Sequence, residues 1–389
     1  MHVNGGRLIG APHMSRKWGE EPCRLRTRDR IVEPQSAELS VIQRSMDMGN
    51  MFFFQSRSYD PWYNLALEQA LSNRIREGDV LMYLWQNERT VVIGRNQNAL
   101  RECNAALLES EGGCLARRKT GGGAVYHDLG NLCFTFAASP NSYCLQRQMK
   151  VVQDACLALG IQTVLSGRND LITEEGYKFS GNAFSVTKIC RLQHGTLMVD
   201  VDRDALERYL TPSKLKLKAK GIASVRSRVC NLKQLDPGIT IDRLCSCLKT
   251  AFEEEYGPAQ VISEEELDQG KIQEYFREFS SWEWRFGKTP GFETQMENLF
   301  SWGEAQIFLE LKDMKIENCR IYTDSLNTQL ASFLEGMLKG LCCSPEGFAS
   351  KMRELQLQDA EFTEGEASGK EEKTAAVELL AWLQKELQS

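Results

Sequence analysis

The chain has 389 residues, 42% of them hydrophobic and 26% charged, with a formal net charge of −6. That length suits two or three globular domains, no apolar run reaches the ~20 residues of a membrane-spanning helix, and the acidic balance argues against general nucleic-acid binding. Thirteen cysteines without a secretory signal fit reduced thiols in a cytoplasmic compartment, and four histidines leave little for a histidine-built metal site.

Residues 1–50 combine arginines, glycines and prolines with little apolar periodicity, which predicts a disordered extension outside the fold. A mitochondrial transit peptide is the alternative reading of those arginines, but Glu20, Glu21, Asp29, Glu33 and Glu38 fit it badly. Residues 52–55 then read as a strand. Asp60 is placed to cap a helix beginning at Pro61, with Leu67, Leu71 and Ile75 on one face. Residues 80–85 and 90–94 read as neighbouring strands around Asn87-Glu88-Arg89, and 132–136 as another. A helix is expected over 150–159, ending at Gly160. A hairpin follows, with strands at 170–173 and 177–180 around Glu174-Glu175-Gly176. Helices packed on a mixed sheet make the fold α+β rather than doubly wound.

The most informative segment is Arg117-Arg118-Lys119-Thr120-Gly121-Gly122-Gly123-Ala124-Val125-Tyr126-His127-Asp128. Three glycines can reach φ > 0 and carry no Cβ, so successive N–H groups can converge on an anion, with the three cations at the mouth of the turn. A glycine loop beside a solvated basic face is the plainer reading. The segment lacks the Gly-Lys-Ser/Thr ending of a phosphate-binding P-loop. A second basic cluster, Lys214, Lys216, Lys218 and Lys220 with Arg226 and Arg228, brackets Gly221. Turn-forming Lys288-Thr289-Pro290-Gly291 marks a boundary, giving regions 1–50, 51–288 and 292–389. Residues 359–373 read as a solvated loop before a last amphipathic helix with Ala376, Leu379, Leu380, Leu383 and Leu387 facing inward.

The glycine segment resembles the signature of the lipoate–protein ligase A family, within the biotin/lipoyl protein ligase superfamily. The same resemblance runs through Ser58-Tyr59-Asp60-Pro61-Trp62, Gly167-Arg168-Asn169-Asp170, Lys178-Phe179-Ser180-Gly181-Asn182-Ala183, His194-Gly195-Thr196-Leu197, Ser281-Trp282-Glu283-Trp284 and Tyr322-Thr323-Asp324-Ser325-Leu326-Asn327. It implies a mixed-sheet catalytic domain with a smaller C-terminal α+β accessory domain that reorients during the reaction. The activity implied is ATP-dependent formation of lipoyl-AMP, with Mg²⁺, and transfer of the lipoyl group to a lysine of lipoyl domains in 2-oxo-acid dehydrogenase E2 subunits or of the glycine-cleavage H protein. Neither nucleic acid nor membrane is a partner in this reading.

By resemblance Lys178 bridges the lipoate carboxylate and the α-phosphate of ATP. Arg118 contacts nucleotide or lipoate carboxylate; Gly123, Ala124, Val125 and Tyr126 line the nucleotide side; and His194 lies near the acyl pocket, a satisfied core histidine being the other reading. Asp170 is a candidate for approaching Mg²⁺, orienting Lys178 or opening the hairpin. Ala183-Phe184-Ser185 departs from relatives that carry a basic residue soon after the lysine motif, so no phosphate role is assigned there. The competing readings are a transferase working from a preformed lipoyl or octanoyl donor, and a non-catalytic lipoate-binding or scaffold protein. Cys133 and Cys190 lie near the relevant segments without a nucleophile motif around them.

Overall fold

The computed structural model describes residues 49–167, 170–211, 229–287, 294–312, 314–358 and 367–386, all within the unit Met48–Ser389. The leader, the basic cluster at 214–228, the boundary at 288–291 and residues 359–366 lie outside the described residues, as does Leu387.

The chain begins with strand β1 (Met51–Gln55), helix α1 (Pro61–Arg74) and strand β2 (Val80–Trp85), with β1 and β2 parallel. Asp60 caps α1 as expected: its carboxylate accepts from Trp62 N at 2.8 Å and Tyr63 N at 3.0 Å, and Pro61, which has no N–H to satisfy, follows. Then come β3 (Thr90–Ile93), short helices α2 (Ala99–Glu102) and α3 (Ala105–Ser110), β4 (Cys114–Arg117), β5 (Val125–His127), β6 (Asn131–Ala138), α4 (Leu145–Leu157), β7 (Thr163–Ser166), β8 (Asp170–Thr173), β9 (Lys178–Val186) and β10 (Arg191–Met198). Helices α5 (Arg203–Tyr209) and α6 (Ile241–Tyr256), strand β11 (Gln260–Val261) and helices α7 (Gln269–Ser280) and α8 (Trp282–Phe286) follow.

The large sheet has eight strands in the order β11-β1-β2-β6-β10-β9-β8-β7, and a smaller one has the order β4-β3-β5. Both mix parallel with antiparallel pairs. Alternating side chains on β1 and β2 feed two cores. Phe53, Met82 and Leu84 pack with α4 and α6, whereas Phe52, Phe54, Leu81 and Tyr83 pack with α1 and α7. Every residue of β2 and β6 is therefore buried, which explains the unbroken apolar run of β2 and the largely apolar β6.

Three local expectations change. Strands β2 and β3 are not neighbours: β2 is flanked by β1 and β6, while β3 pairs with β4 and β5 in the other sheet. Arg89, at φ 34°, takes the backbone out of the first sheet between them. Helix α4 starts five residues earlier than its apolar period suggests, because its cap residue Cys144 makes no side-chain capping bond that would mark the start. The final helix begins at Ala367, so the second half of the predicted acidic loop is helical.

After residue 294 a separate antiparallel sheet forms from β12 (Thr294–Phe300), β13 (Gly303–Lys312) and β14 (Lys315–Thr323). It is covered by α9 (Leu330–Leu338), α10 (Pro345–Gln358) and α11 (Ala367–Glu386). Its own core includes Ile307, Leu309, Ile321, Leu334 and Phe348, with Ala376, Leu379, Leu380 and Leu383 supplied by α11 as their spacing predicted. This is the smaller C-terminal α+β domain. Among the described residues no helix is long and apolar enough to cross a membrane.

Candidate active site

A cavity of about 520 Å³ opens between the two sheets of the catalytic domain, within the usual size range of a small-molecule site. Arg118, Gly123, Ala124, Val125, Tyr126, Asp170, Lys178 and His194 all line it. The sequence therefore named side chains that the fold brings together from β5, β8, β9, β10 and the glycine turn.

At one corner Lys178, the first residue of β9, sends Nζ to 2.7 Å from Asp170 Oδ1 on β8. The lysine is 24% exposed and the carboxylate 7%, so a flexible cation stands at the cavity wall beside a buried anion that aims it. A Cβ on Gly181 would lie 2.9 Å from that Nζ, so the glycine clears a path for the ammonium. Asp170 orients Lys178 in this arrangement. Asp170 Oδ1 is paired with the ammonium here, and among the described residues no group of three or more His, Cys, Asp or Glu side chains is placed together to hold a metal ion.

The glycine turn works differently from its sequence reading. Of its three glycines only Gly122 has a positive φ, at 91°, and Gly121 is required by close approach: its Cβ would lie 2.2 Å from the Ser325 carbonyl oxygen of the C-terminal domain. Gly123 is the opposite case. A Cβ there would meet nothing within 4 Å, which leaves open space on the cavity side of the turn.

None of the three cations stands at the mouth of the turn. Arg117 is buried and donates to the carbonyls of Gly94, Arg95, Gln97, Trp284 and Arg285. Lys119 lies over the rings of Phe279 and Tyr275, at 4.9 and 5.3 Å, with Glu278 3.5 Å away. Arg118 runs underneath the turn, where its fork donates to Val92 O (3.1 Å), Gly121 O (2.8 Å), Gly123 O (2.8 Å) and Thr120 Oγ1 (3.0 Å). Burial pushes the guanidinium pKa down to about 10, with Glu68 opposing the shift. Arg118 is thus a staple that draws the turn's carbonyls inward.

The C-terminal domain reaches this turn. Gly122 N–H donates to Ser325 O at 3.1 Å, Thr323 N–H to Asn96 O at 2.8 Å, and Asn96 Nδ2 to Thr328 O at 3.0 Å, while Asp324 and Leu326 join the cavity lining. An amide suited to an anion is therefore covered by a carbonyl of the second domain.

The inner end of the cavity is walled by Trp85, Val92, Cys133 and His194. Burial and Glu68 push the Cys133 thiol well above its ordinary value, and burial pushes Cys190 up to about 11, so neither supplies a thiolate nucleophile. His194 lies within β10 and contacts Glu68 and Thr120, a carboxylate and a hydroxyl absent from the sequence-based candidates. Glu68 could have been noticed as a charge inside the apolar stripe of α1, between Leu67 and Leu71.

His127, also on the wall, is 3% exposed and receives Asn87 Nδ2 at Nδ1. Burial first, then Arg118 and His194, depress its pKa to about 3. Below pH 6.5 the unfolded chain protonates this histidine while the folded chain does not, so stability falls as pH is lowered from about 6.5 toward 3. In urea unfolding at several pH values, His127→Gln is expected to flatten this slope. An unchanged slope would show that other groups carry it.

Comparison with known proteins agrees with this arrangement of domains. A model of the lipoyl protein ligase A/B catalytic domain matches residues 60–253, and one of the bacterial lipoate protein ligase C-terminus matches 289–369. The chain belongs to the lipoate–protein ligase A family. Its ligase fold resembles that of P. falciparum LipL1, solved in complex with lipoate, at 27% identity and a TM-score of 0.71, over 86% of this chain and 100% of that one. It also resembles the bi-partite lipoate–protein ligase of Thermoplasma acidophilum, described with its E2 lipoyl domain, at 27% identity and a TM-score of 0.54 over 64% and 99% of the two chains. A lipoate–protein ligase A bound with ATP matches at 25% identity and a TM-score of 0.53 over 62% and 99%. The cavity is thus lined by residues of both matched regions, Asp324 and Leu326 coming from the second.

Proposed function

We propose that the chain is an ATP-dependent lipoate–protein ligase acting in two steps. In the first, a lipoate carboxylate oxygen attacks the α-phosphorus of ATP; the new P–O bond forms as the bond to the β-phosphate oxygen breaks, and pyrophosphate leaves. In the second, the ε-amine of an acceptor lysine attacks the acyl carbon of lipoyl-AMP; an amide forms, AMP departs, and the amine gives up a proton.

The observation that carries this reading is the joining, in one cavity, of the Asp170-aimed Lys178 ammonium to a glycine turn whose Gly123 side is open. Two anions that repel each other must meet in the first step. An ammonium between them offsets that repulsion and the charge that builds in the transition state. Lys178 is the catalytic residue, touching carboxylate and α-phosphate. The nucleotide lies along Gly123, Ala124, Val125 and Tyr126, and the acyl chain runs toward Trp85 and His194, away from water. Arg118 shapes the turn on which both depend. Mg²⁺ in this reading arrives with the nucleotide's phosphates, whose charge it neutralises.

Ser325 O occupies the Gly122 amide, so an anion that uses this donor displaces the C-terminal loop. The acceptors are lipoyl domains of 2-oxo-acid dehydrogenase E2 subunits and the glycine-cleavage H protein, in the cytoplasm; the free state of the described cysteines suits that compartment. Residues 1–50, 51–288 and 292–389 are the leader, catalytic and accessory regions.

Lipoate-dependent release of pyrophosphate from ATP tests the first step directly. The expected result is release that requires both substrates, followed by modification of an added lipoyl domain. Transfer from supplied lipoyl-AMP without pyrophosphate release would replace this reading with the transferase, and absence of both would leave a binding protein.

A further inference from the structure

A buried chain of hydrogen bonds links the acyl end of the cavity to the glycine turn. Glu68 Oε1 lies 2.9 Å from His194 Nδ1; His194 Nε2 lies 2.8 Å from Thr120 Oγ1; and Thr120 Oγ1 receives Arg118 Nε at 3.0 Å. On the other side of Glu68, Thr135 Oγ1 donates to the same carboxylate oxygen at 2.6 Å and itself accepts from Trp85 Nε1 at 3.0 Å. Glu68 and His194 are each 7% exposed, Thr120 2% and Thr135 1%.

The two ends of this chain can only donate, since an indole N–H and a guanidinium N–H have no lone pair to offer. Thr135, already accepting from Trp85, turns its hydroxyl hydrogen to Glu68. Thr120 Oγ1 accepts from Arg118 and makes its second hydrogen bond with His194 Nε2. A carboxylate can only accept, so His194 carries a hydrogen on Nδ1 that points at Glu68. Glu68 is the member of the chain that receives from both sides.

Trp85 and His194 are cavity walls at the acyl end, and Arg118 holds the Gly121 and Gly123 carbonyls at the anion end. We propose that Glu68 is a positioning residue which, through His194 and Thr120, couples filling of the acyl pocket to the ordering of the anion-binding turn. An acyl chain packed against His194 and Trp85 restricts both rings. That restriction passes through Thr120 to the Arg118 fork, so a nucleotide arriving second has less of the turn left to order. The coupling is reciprocal, because each ligand must change the affinity of the other by one common factor. This inference rests on the ligase reading.

The test is calorimetric titration of the full chain with lipoate, with and without saturating α,β-methylene ATP, which cannot release pyrophosphate. In the wild type the analogue is expected to tighten lipoate binding by a factor of about 5–150, the usual span of such couplings. Thr120→Val, which keeps the shape and removes the hydroxyl, brings the factor close to one; Thr120→Ser, which restores the hydroxyl, restores it. Glu68→Leu matches Thr120→Val, and the milder threonine pair keeps the test decisive if that variant folds poorly. A factor unchanged in Thr120→Val, or absent in a wild type that binds both ligands, overturns the coupling and leaves the ligase reading standing. A wild type that binds neither ligand overturns the ligase reading, and the coupling with it.

Discussion

Lys178→Ala is expected to slow lipoyl-AMP formation by about 10²–10³-fold, the usual loss when one preorganised charge is removed from a transition state. The side chain is 24% exposed and belongs to none of the hydrophobic cores, so little packing is lost. Asp170 complicates the result. With the ammonium gone, a carboxylate 7% exposed loses the cation 2.7 Å away, and part of the damage reflects that lost ion pair. Lys178→Ala combined with Asp170→Asn removes the carboxylate charge and is expected to recover stability without recovering the rate. Lys178→Arg does not fully restore adenylation, because a broad planar guanidinium cannot replace a compact ammonium between two oxygens. Adenylation and transfer from supplied lipoyl-AMP are measured separately, with chemical unfolding alongside. Near-normal adenylation by a folded Lys178→Ala protein would remove Lys178 from the chemistry.

What the sequence made legible follows the range of the forces involved. Asp60-Pro61 announces α1, and the Gly176 turn announces the hairpin carrying Lys178, because each is decided within a few residues. The partner of β3 is not local. Its place in the small sheet depends on β4, more than twenty residues further on, and a short, fully buried apolar run reads the same in either sheet. The site divides in the same way. Lys178, Asp170 and the glycine turn sit in motifs, whereas Glu68 and Trp85 look like scaffold until the sheet and α1 are stacked. The charges of Arg117, Arg118 and Lys119 were plain in the sequence, but their directions were not: backbone carbonyls and aromatic rings, invisible in a one-dimensional pattern, took all three away from the mouth of the turn.

Arg118→Lys keeps the charge and removes the fork, which separates the staple from a simple cationic contact with substrate. The guanidinium reaches Val92 O, Gly121 O, Gly123 O and Thr120 Oγ1 at once. A lysine ammonium with three donors around a single nitrogen cannot span acceptors set that far apart. Each buried carbonyl left unpaired costs about 1–3 kcal/mol, so a net loss of about 2–4 kcal/mol is expected after partial relaxation. Burial already lowers the arginine pKa to about 10, and a more strongly hydrated ammonium in the same place suffers a larger desolvation penalty. The denaturant midpoint should therefore fall with its slope unchanged. Under conditions where the variant remains folded, nucleotide affinity should weaken more than lipoate affinity, since the Gly121 and Gly123 carbonyls no longer hold the turn inward while Trp85 and His194 keep their places. Full stability with a loss confined to the adenylation rate would mean that the turn holds without Arg118 and that its guanidinium serves the substrate directly.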